Sequence, residues 1–228
     1  MSLLMRLTHT PSRTLLLVQL AAVLLYPWFD GPGGHLFLSA ISVGVLSAAV
    51  LMVRRSPHET WIALALAVLG VVAFALYRMT GGMVLGIIGA IGYAAAYFYS
   101  AIALISYMMQ DERTTVDEMW AAGATFMLFA EAYAWIFMAL QLLRPDAFVI
   151  PGATSGPLSW VELLFLSSSN FSATGLSDIY PAIPQARMLL VVEQWNGVMY
   201  IAIVVARLAG MLRSRPPVDP SQTGQGLQ

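Results

Sequence analysis

The sequence predicts an all-α membrane protein of about six transmembrane helices, with a re-entrant half-helix between the fifth and the sixth. Three observations predict it. First, 59% of the 228 residues are hydrophobic and only 10% are charged, with a mean hydropathy of +0.75. Soluble domains carry roughly 25% charged residues, and so few charges do not cover a water-facing surface, so the apolar excess faces lipid. Second, apolar runs occur at roughly 13–29, 36–53, 60–79, 83–108, 118–143 and 186–212, and a bilayer core of about 30 Å takes about 20 residues of helix to cross. Third, a seventh apolar stretch, 159–171, is too short to span, and a membrane tolerates such a segment where protein buries it.

Taken in order, the first run follows Arg6 and Arg13 and ends in Pro27-Trp28-Phe29-Asp30. That ending lacks a small-residue cleavage pattern, so the run reads as a retained helix. The fourth run holds Gly82, Gly86, Gly89 and Gly92, and the spacing of Gly82 and Gly86 suits close helix packing. It has no arginine between 83 and 109, so the block 1–110 is a four-helix transmembrane domain without the charge ladder of a voltage sensor. The loop Asp111-Glu112-Arg113-Thr114-Thr115 opens the second unit, 111–213, and Thr115 with Glu118 has capping-box spacing for the start of the fifth helix. Residues 214–228, rich in Pro, Gly, Ser and Gln, read as a disordered cytoplasmic tail. Seven arginines (6, 13, 54, 55, 113, 213 and 215) fall on one side of these spans and three (78, 144 and 187) on the other. This bias predicts both termini inside, in what reads as a bacterial inner membrane. Trp28, Trp120, Trp160 and Tyr180 fall near expected interfaces and read as bilayer anchors, while Trp195 falls deeper and is expected between helices.

Composition also excludes functions. A net charge of −1 gives no pull toward nucleic acid. The chain has no cysteine, hence no disulfide or thiolate metal site. All its basic residues are arginine, so no lysine is present to form a Schiff base. His9, His35 and His58 lie at or beyond the edges of apolar runs. Serine catalysis would need a base, and the second half of the chain has no histidine, so an enzyme is not expected. A carrier would show paired interrupted helices, and only one segment here is interrupted. No cofactor or resident metal is expected.

The chemistry concentrates in 159–181. Ser159 and Glu162 form a second capping box, Leu163 to Leu166 give an apolar face, and the helix turns polar at Ser167-Ser168-Ser169-Asn170. Then follow Phe171-Ser172-Ala173-Thr174-Gly175-Leu176-Ser177-Asp178-Ile179-Tyr180-Pro181. Small polar residues are costly against lipid and make sense where their backbone lines water or ions. A half-helix ending there points negative partial charge at the membrane centre, and carbonyl oxygens beyond it can replace a cation's water.

Helix, half-helix, polar turn, Asp and helix together resemble the pore module of the potassium-channel superfamily, in particular its bacterial six-helix and two-helix members. That family's filter is a hydroxyl-rich run ending in T-V-G-Y-G-D. Anchored on Asp178-Ile179-Tyr180-Pro181, it falls on Ala173-Thr174-Gly175-Leu176-Ser177. The resemblance spans about 118–212 and implies a pore helix at 159–171, an ion-conducting filter at Ser172, Ala173, Thr174, Gly175, Leu176, Ser177 and Asp178, and a gating hinge at Gly197. It further implies a homotetramer, because one pore segment cannot surround an ion, with four Asp178 carboxylates at the outer mouth. The filter departs from the family pattern: Ala173 stands for Thr, Leu176 for Tyr and Ser177 for the second Gly. Backbone handedness in such a filter calls for positive φ at both glycine positions, which at Ser177 would cost about 1 kcal/mol or more. Thr-Gly-Leu-Ser is also similar to the single-glycine filters of the Trk/Ktr potassium-uptake family.

Four polar residues are expected inside the membrane. Glu131 lies midway along the fifth helix, and Gln194 and Asn196 at similar depth on the sixth are its expected hydrogen-bond partners. Glu193 is expected to brace the half-helix or Arg187, and Arg207 to reach the headgroups. The resulting expectation is a tetrameric channel passing K+ or Na+ passively, with its selectivity open. The alternative is a non-conducting scaffold or regulatory subunit on a degenerate pore fold. The expected partners are the bilayer, further copies of the chain and an unknown regulatory protein.

Overall fold

Seven α-helices make up most of what the computed structural model describes, namely residues 11–28, 35–54, 56–110, 116–152 and 156–213. They are α1 (Pro11–Leu25), continued by a 3-10 turn at Tyr26–Trp28, α2 (His35–Val53), α3 (Thr60–Thr80), α4 (Met83–Met108), α5 (Val116–Leu143), α6 (Trp160–Phe171) and α7 (Pro184–Arg213). Two short strands, β1 (Phe148–Val149) and β2 (Tyr180–Pro181), flank α6. The chain is thus an all-α membrane protein in its architecture. Among the described residues, α3, α4, α5 and α7 are long and apolar enough to cross a membrane. The first run falls short of that measure. α1 has 15 residues, about 22 Å at 1.5 Å per residue, and the described apolar part of α2 is Ser42–Val53. The expected cap at Thr115 and the tail 214–228 lie outside the described residues.

The α3–α4 hairpin closes on glycine. A Cβ at Gly89 would lie 2.5 Å from Phe74 N, and one at Gly92 2.8 Å from Gly70 Cα, so the two backbones touch. Gly82 does not join this seam; it is the N-cap of α4. α5 is the central element, with α1, α4, α6 and α7 packed along it. Its alanines, among them Ala121, Ala124, Ala130 and Ala134, are fully buried and let these neighbours approach. α1 is tied to α5 by Ser12 Oγ donating to Asp117 Oδ2 at 2.9 Å and by Arg13 over the Trp120 ring.

At the other end of α5, Arg144 pairs twice with Asp146 at 3.1 Å, and these bonds hold the Asp146 carboxyl below its ordinary range. β1 and β2 then pair antiparallel, Phe148 opposite Pro181 and Val149 opposite Tyr180, and Ala182 N donates to Ala147 O at 2.9 Å. This clasp joins the loop entering α6 to the segment leaving it.

Candidate functional site

α6 is a half-helix because its two ends are specified locally. At its start, Ser159 Oγ accepts from Glu162 N at 3.3 Å and Glu162 Oε2 accepts from Ser159 N at 2.6 Å, so both halves of the capping box form. Its 12 residues reach about 18 Å, roughly half a bilayer core. Leu163, Leu164, Leu166 and Phe171 bury one face. The Phe171 ring ends in an aromatic cluster with Phe126, Phe129, Tyr133 and Tyr200.

The same buried face of α6 also carries polar groups, Ser167 and Asn170. Glu193 of α7 is fully buried, and it receives Asn170 Nδ2 on Oε2 at 2.5 Å and meets Ser167 Oγ at Oε1, 2.6 Å away. Asn170 Nδ2 also donates to Leu190 O at 2.9 Å, and Ser167 Oγ lies 2.7 Å from Ala130 O of α5. Ser167 has one proton to give and two oxygens at bonding distance. Both contacts are satisfied at once when Glu193 is in its acid form, donating to Ser167 Oγ while Ser167 donates to Ala130 O. One carboxyl therefore links α5, α6 and α7. Arg187, the other expected partner of Glu193, donates instead to Pro181 O.

At the end of α6, Ser169 O collects four donors: Thr174 N, Gly175 N, Thr174 Oγ1 and Ser172 Oγ, all at 3.0–3.1 Å. The chain reverses around this carbonyl, and residues 173–176 stand exposed in the single chain. Positive φ occurs at Ala173 (58°) and Gly175 (66°). Ser177 is free of the strain expected there, so the left-handed pair sits two residues earlier than the family pattern suggests. Ala173 carries that strain instead. Ala173→Gly is expected to stabilise the fold by about 1 kcal/mol, read as a rise in thermal midpoint in detergent. Gly175 O accepts from Ser177 N at 3.0 Å, and Ser177 Oγ accepts from Ile179 N at 3.1 Å. Ser177 thus closes the turn, and Asp178 is left exposed.

Gly197 faces the end of α6. A Cβ there would overlap Phe171 O and lie 2.8 Å from Phe171 C, so in this packing the glycine admits the half-helix to the surface of α7. α7 is continuous through it.

The remaining expected polar residues separate. Glu131 is 2% exposed and faces the Tyr97 hydroxyl of α4, but neither carboxyl oxygen makes a hydrogen bond of full geometry among the described residues. The expected bond to Gln194 or Asn196 is not made. Those two are exposed in the single chain rather than buried, and Asn196 Nδ2 donates to Tyr133 OH. α5 turns Glu131 toward α4 while α7 packs on another side, which equal depth alone does not reveal. A buried polar group without a bond costs about 1–3 kcal/mol, so Glu131→Leu is expected to raise the thermal midpoint. An unchanged or lowered midpoint would show that the carboxyl is satisfied. Arg207 does not reach for headgroups: it pairs with Glu118 at 3.1 Å, tying the far end of α7 to α5. Trp195 is 67% exposed rather than packed between helices, and Trp160 lies 4.3 Å from Trp135. The described part of the chain holds no cluster of metal-ligating side chains.

Comparison with curated proteins and with solved structures returns no match. A sequence profile described as ion channel matches residues 124–214, less than half of the chain, and the match runs from the third turn of α5 through α6 and the exposed turn to the end of α7. The part of the molecule that carries the half-helix is thus similar to the ion-channel family.

Proposed function

We propose that the chain forms a homotetrameric channel through which monovalent cations, K+ or Na+, pass passively. In this reading six helices cross the membrane, α6 is a re-entrant pore helix, and residues 172–178 of four copies surround the ion. Asp178 concentrates cations at the outer mouth, and α7 lines the inner pore with Gly197 as its point of flexure. Both termini are cytoplasmic, in a bacterial inner membrane, as the arginine bias favours.

One observation carries this reading: among the exposed apolar residues of α7, such as Val192 and Val198, the single chain leaves polar groups bare at membrane depth. Gln194 is exposed ten residues into α7, about 15 Å along the helix, and Thr174, Gly175 and Asp178 are exposed at the end of α6. Lipid satisfies none of these groups. Water in a pore, or further copies of the chain, satisfies them all. The carboxyl end of α6 adds a negative field where the ion would pause.

A second reading, a non-conducting scaffold on the same fold, is favoured by the Ser177 N to Gly175 O bond, which occupies a carbonyl that conduction would use. Purified protein in liposomes with rubidium uptake as the readout separates the two. Uptake is expected, together with its loss in Gly175→Ala, where φ is 66° and a side chain is disfavoured. No uptake in the unaltered protein would leave the scaffold reading.

A further inference from the structure

Where α3 ends and α4 begins, a cavity of about 300 Å³ opens between α2, α3, α4, α5 and the start of α6. Its volume is at the lower bound for small-molecule sites. Its walls are aromatic and apolar: Phe74, Tyr77, Tyr93, Met138 and the tilted Trp135–Trp160 pair line it, and Tyr93 lies 4.2 Å from Trp135, ring parallel to ring. Arg78, in the last turn of α3, is exposed and also lines it.

The polar capacity left unspent around this cavity is of one kind. Gln141 is engaged on both atoms, Nε2 to Leu158 O at 3.0 Å and Oε1 from Leu158 N at 2.8 Å. Ser159 Oγ is taken by the cap of α6, and Ser42 Oγ is bonded with Tyr26 OH. The indole N–H groups of Trp135 and Trp160 are closed off from the cavity, whereas the guanidinium of Arg78, which only donates, is exposed at its rim. Apart from tyrosine hydroxyls, which serve either way, the polar side chain of this lining left open to a ligand is that cation. A ligand that completes this lining brings an apolar chain, oxygen acceptors and negative charge.

We propose that the cavity binds an anionic phospholipid of the surrounding bilayer, with one acyl chain among Phe74, Tyr93, Trp135 and Met138 and the acidic headgroup on Arg78. Arg78 stands two residues from the end of a membrane-length helix, which is headgroup depth. Ser159 and Trp160 form one wall, so the bound lipid lies against the capped start of α6 and supports the half-helix from behind.

The test is native mass spectrometry of the full-length protein released from nanodiscs holding equal phosphatidylglycerol and phosphatidylcholine. It reads binding and needs no conduction, so its failure is separate from failure of the channel reading. One phosphatidylglycerol per chain is expected to survive release. Arg78→Gln is expected to weaken that retention about tenfold by removing the charge-assisted bonds, and Arg78→Lys to keep most of it. Ser42→Phe, which fills the cavity and leaves Arg78 in place, is expected to abolish it. Equal retention of both lipids, retention unchanged in Arg78→Gln, or retention unchanged in Ser42→Phe would each overturn the proposal. So would displacement of the lipid by inorganic phosphate or a fatty acid at equal concentration, which would assign the site to a free anion.

Discussion

Gly197→Ala is expected to abolish cation uptake and to lower the thermal midpoint, the largest effect of any single methyl group in the molecule. The added carbon would overlap Phe171 O and press on Phe171 C, 2.8 Å away. Both are backbone atoms, so no side chain can swing aside. Overpacking of this kind typically costs about 1–3 kcal/mol or more. The atoms forced to move belong to the last turn of α6, one residue before the exposed turn at 172–178. If Gly197 acts only as a flexure of α7, alanine would instead leave the midpoint near its original value and change opening alone. Measuring uptake and melting on the same preparation separates the two roles.

Glu193→Leu is expected to uncouple α7 from α6 and to cost about 2–4 kcal/mol, because it leaves the buried Ser167 and Asn170 short of a partner. Uptake is expected to fall with it. Glu193→Gln is the informative contrast. Its Nε2 can donate to Ser167 Oγ while its Oε1 still accepts from Asn170 Nδ2, which reproduces the acid form of the carboxyl. Gln is therefore expected to stay within about 1 kcal/mol of the native protein and to retain uptake. If Gln is as damaging as Leu, the carboxyl works as an anion and the proton inventory around Ser167 is different.

These two residues also show how far the sequence could be read. The half-helix was legible because its cap is local: Ser159 and Glu162 lie three apart, and the capping box they predict is formed. Gly197 entered only through the resemblance, as a hinge, and its contact with Phe171 O depends on how α7 lies against α6, which the sequence does not encode. Glu193 was half legible. A buried carboxyl needs a partner, but the choice of Ser167 and Asn170 over Arg187 required the packing. The same limit explains Glu131, which is buried on α5 but turned toward α4 rather than α7. Arg207 and Glu118, 89 residues apart in the chain, carry no local signal of pairing. The two-residue strands are too short for any periodicity to show. The placement of left-handed backbone at Ala173 rather than Ser177 follows from how four donors gather on Ser169 O, and residue types alone predict the opposite.

A conducting pore of this kind requires four copies to bring the turn after α6 together at an axis. Because the chain has no native cysteine, Leu176→Cys offers a unique attachment point at a residue that is 75% exposed in the single chain. Spin labels there, in reconstituted protein, are expected to give two short distances, the diagonal about 1.4 times the adjacent, as fourfold symmetry requires. Leu69→Cys, on the outward side of α3, is expected to give the same ratio at much longer range. A single distance at 176, no dipolar coupling there, or shorter distances from 69 than from 176 would contradict a central fourfold pore.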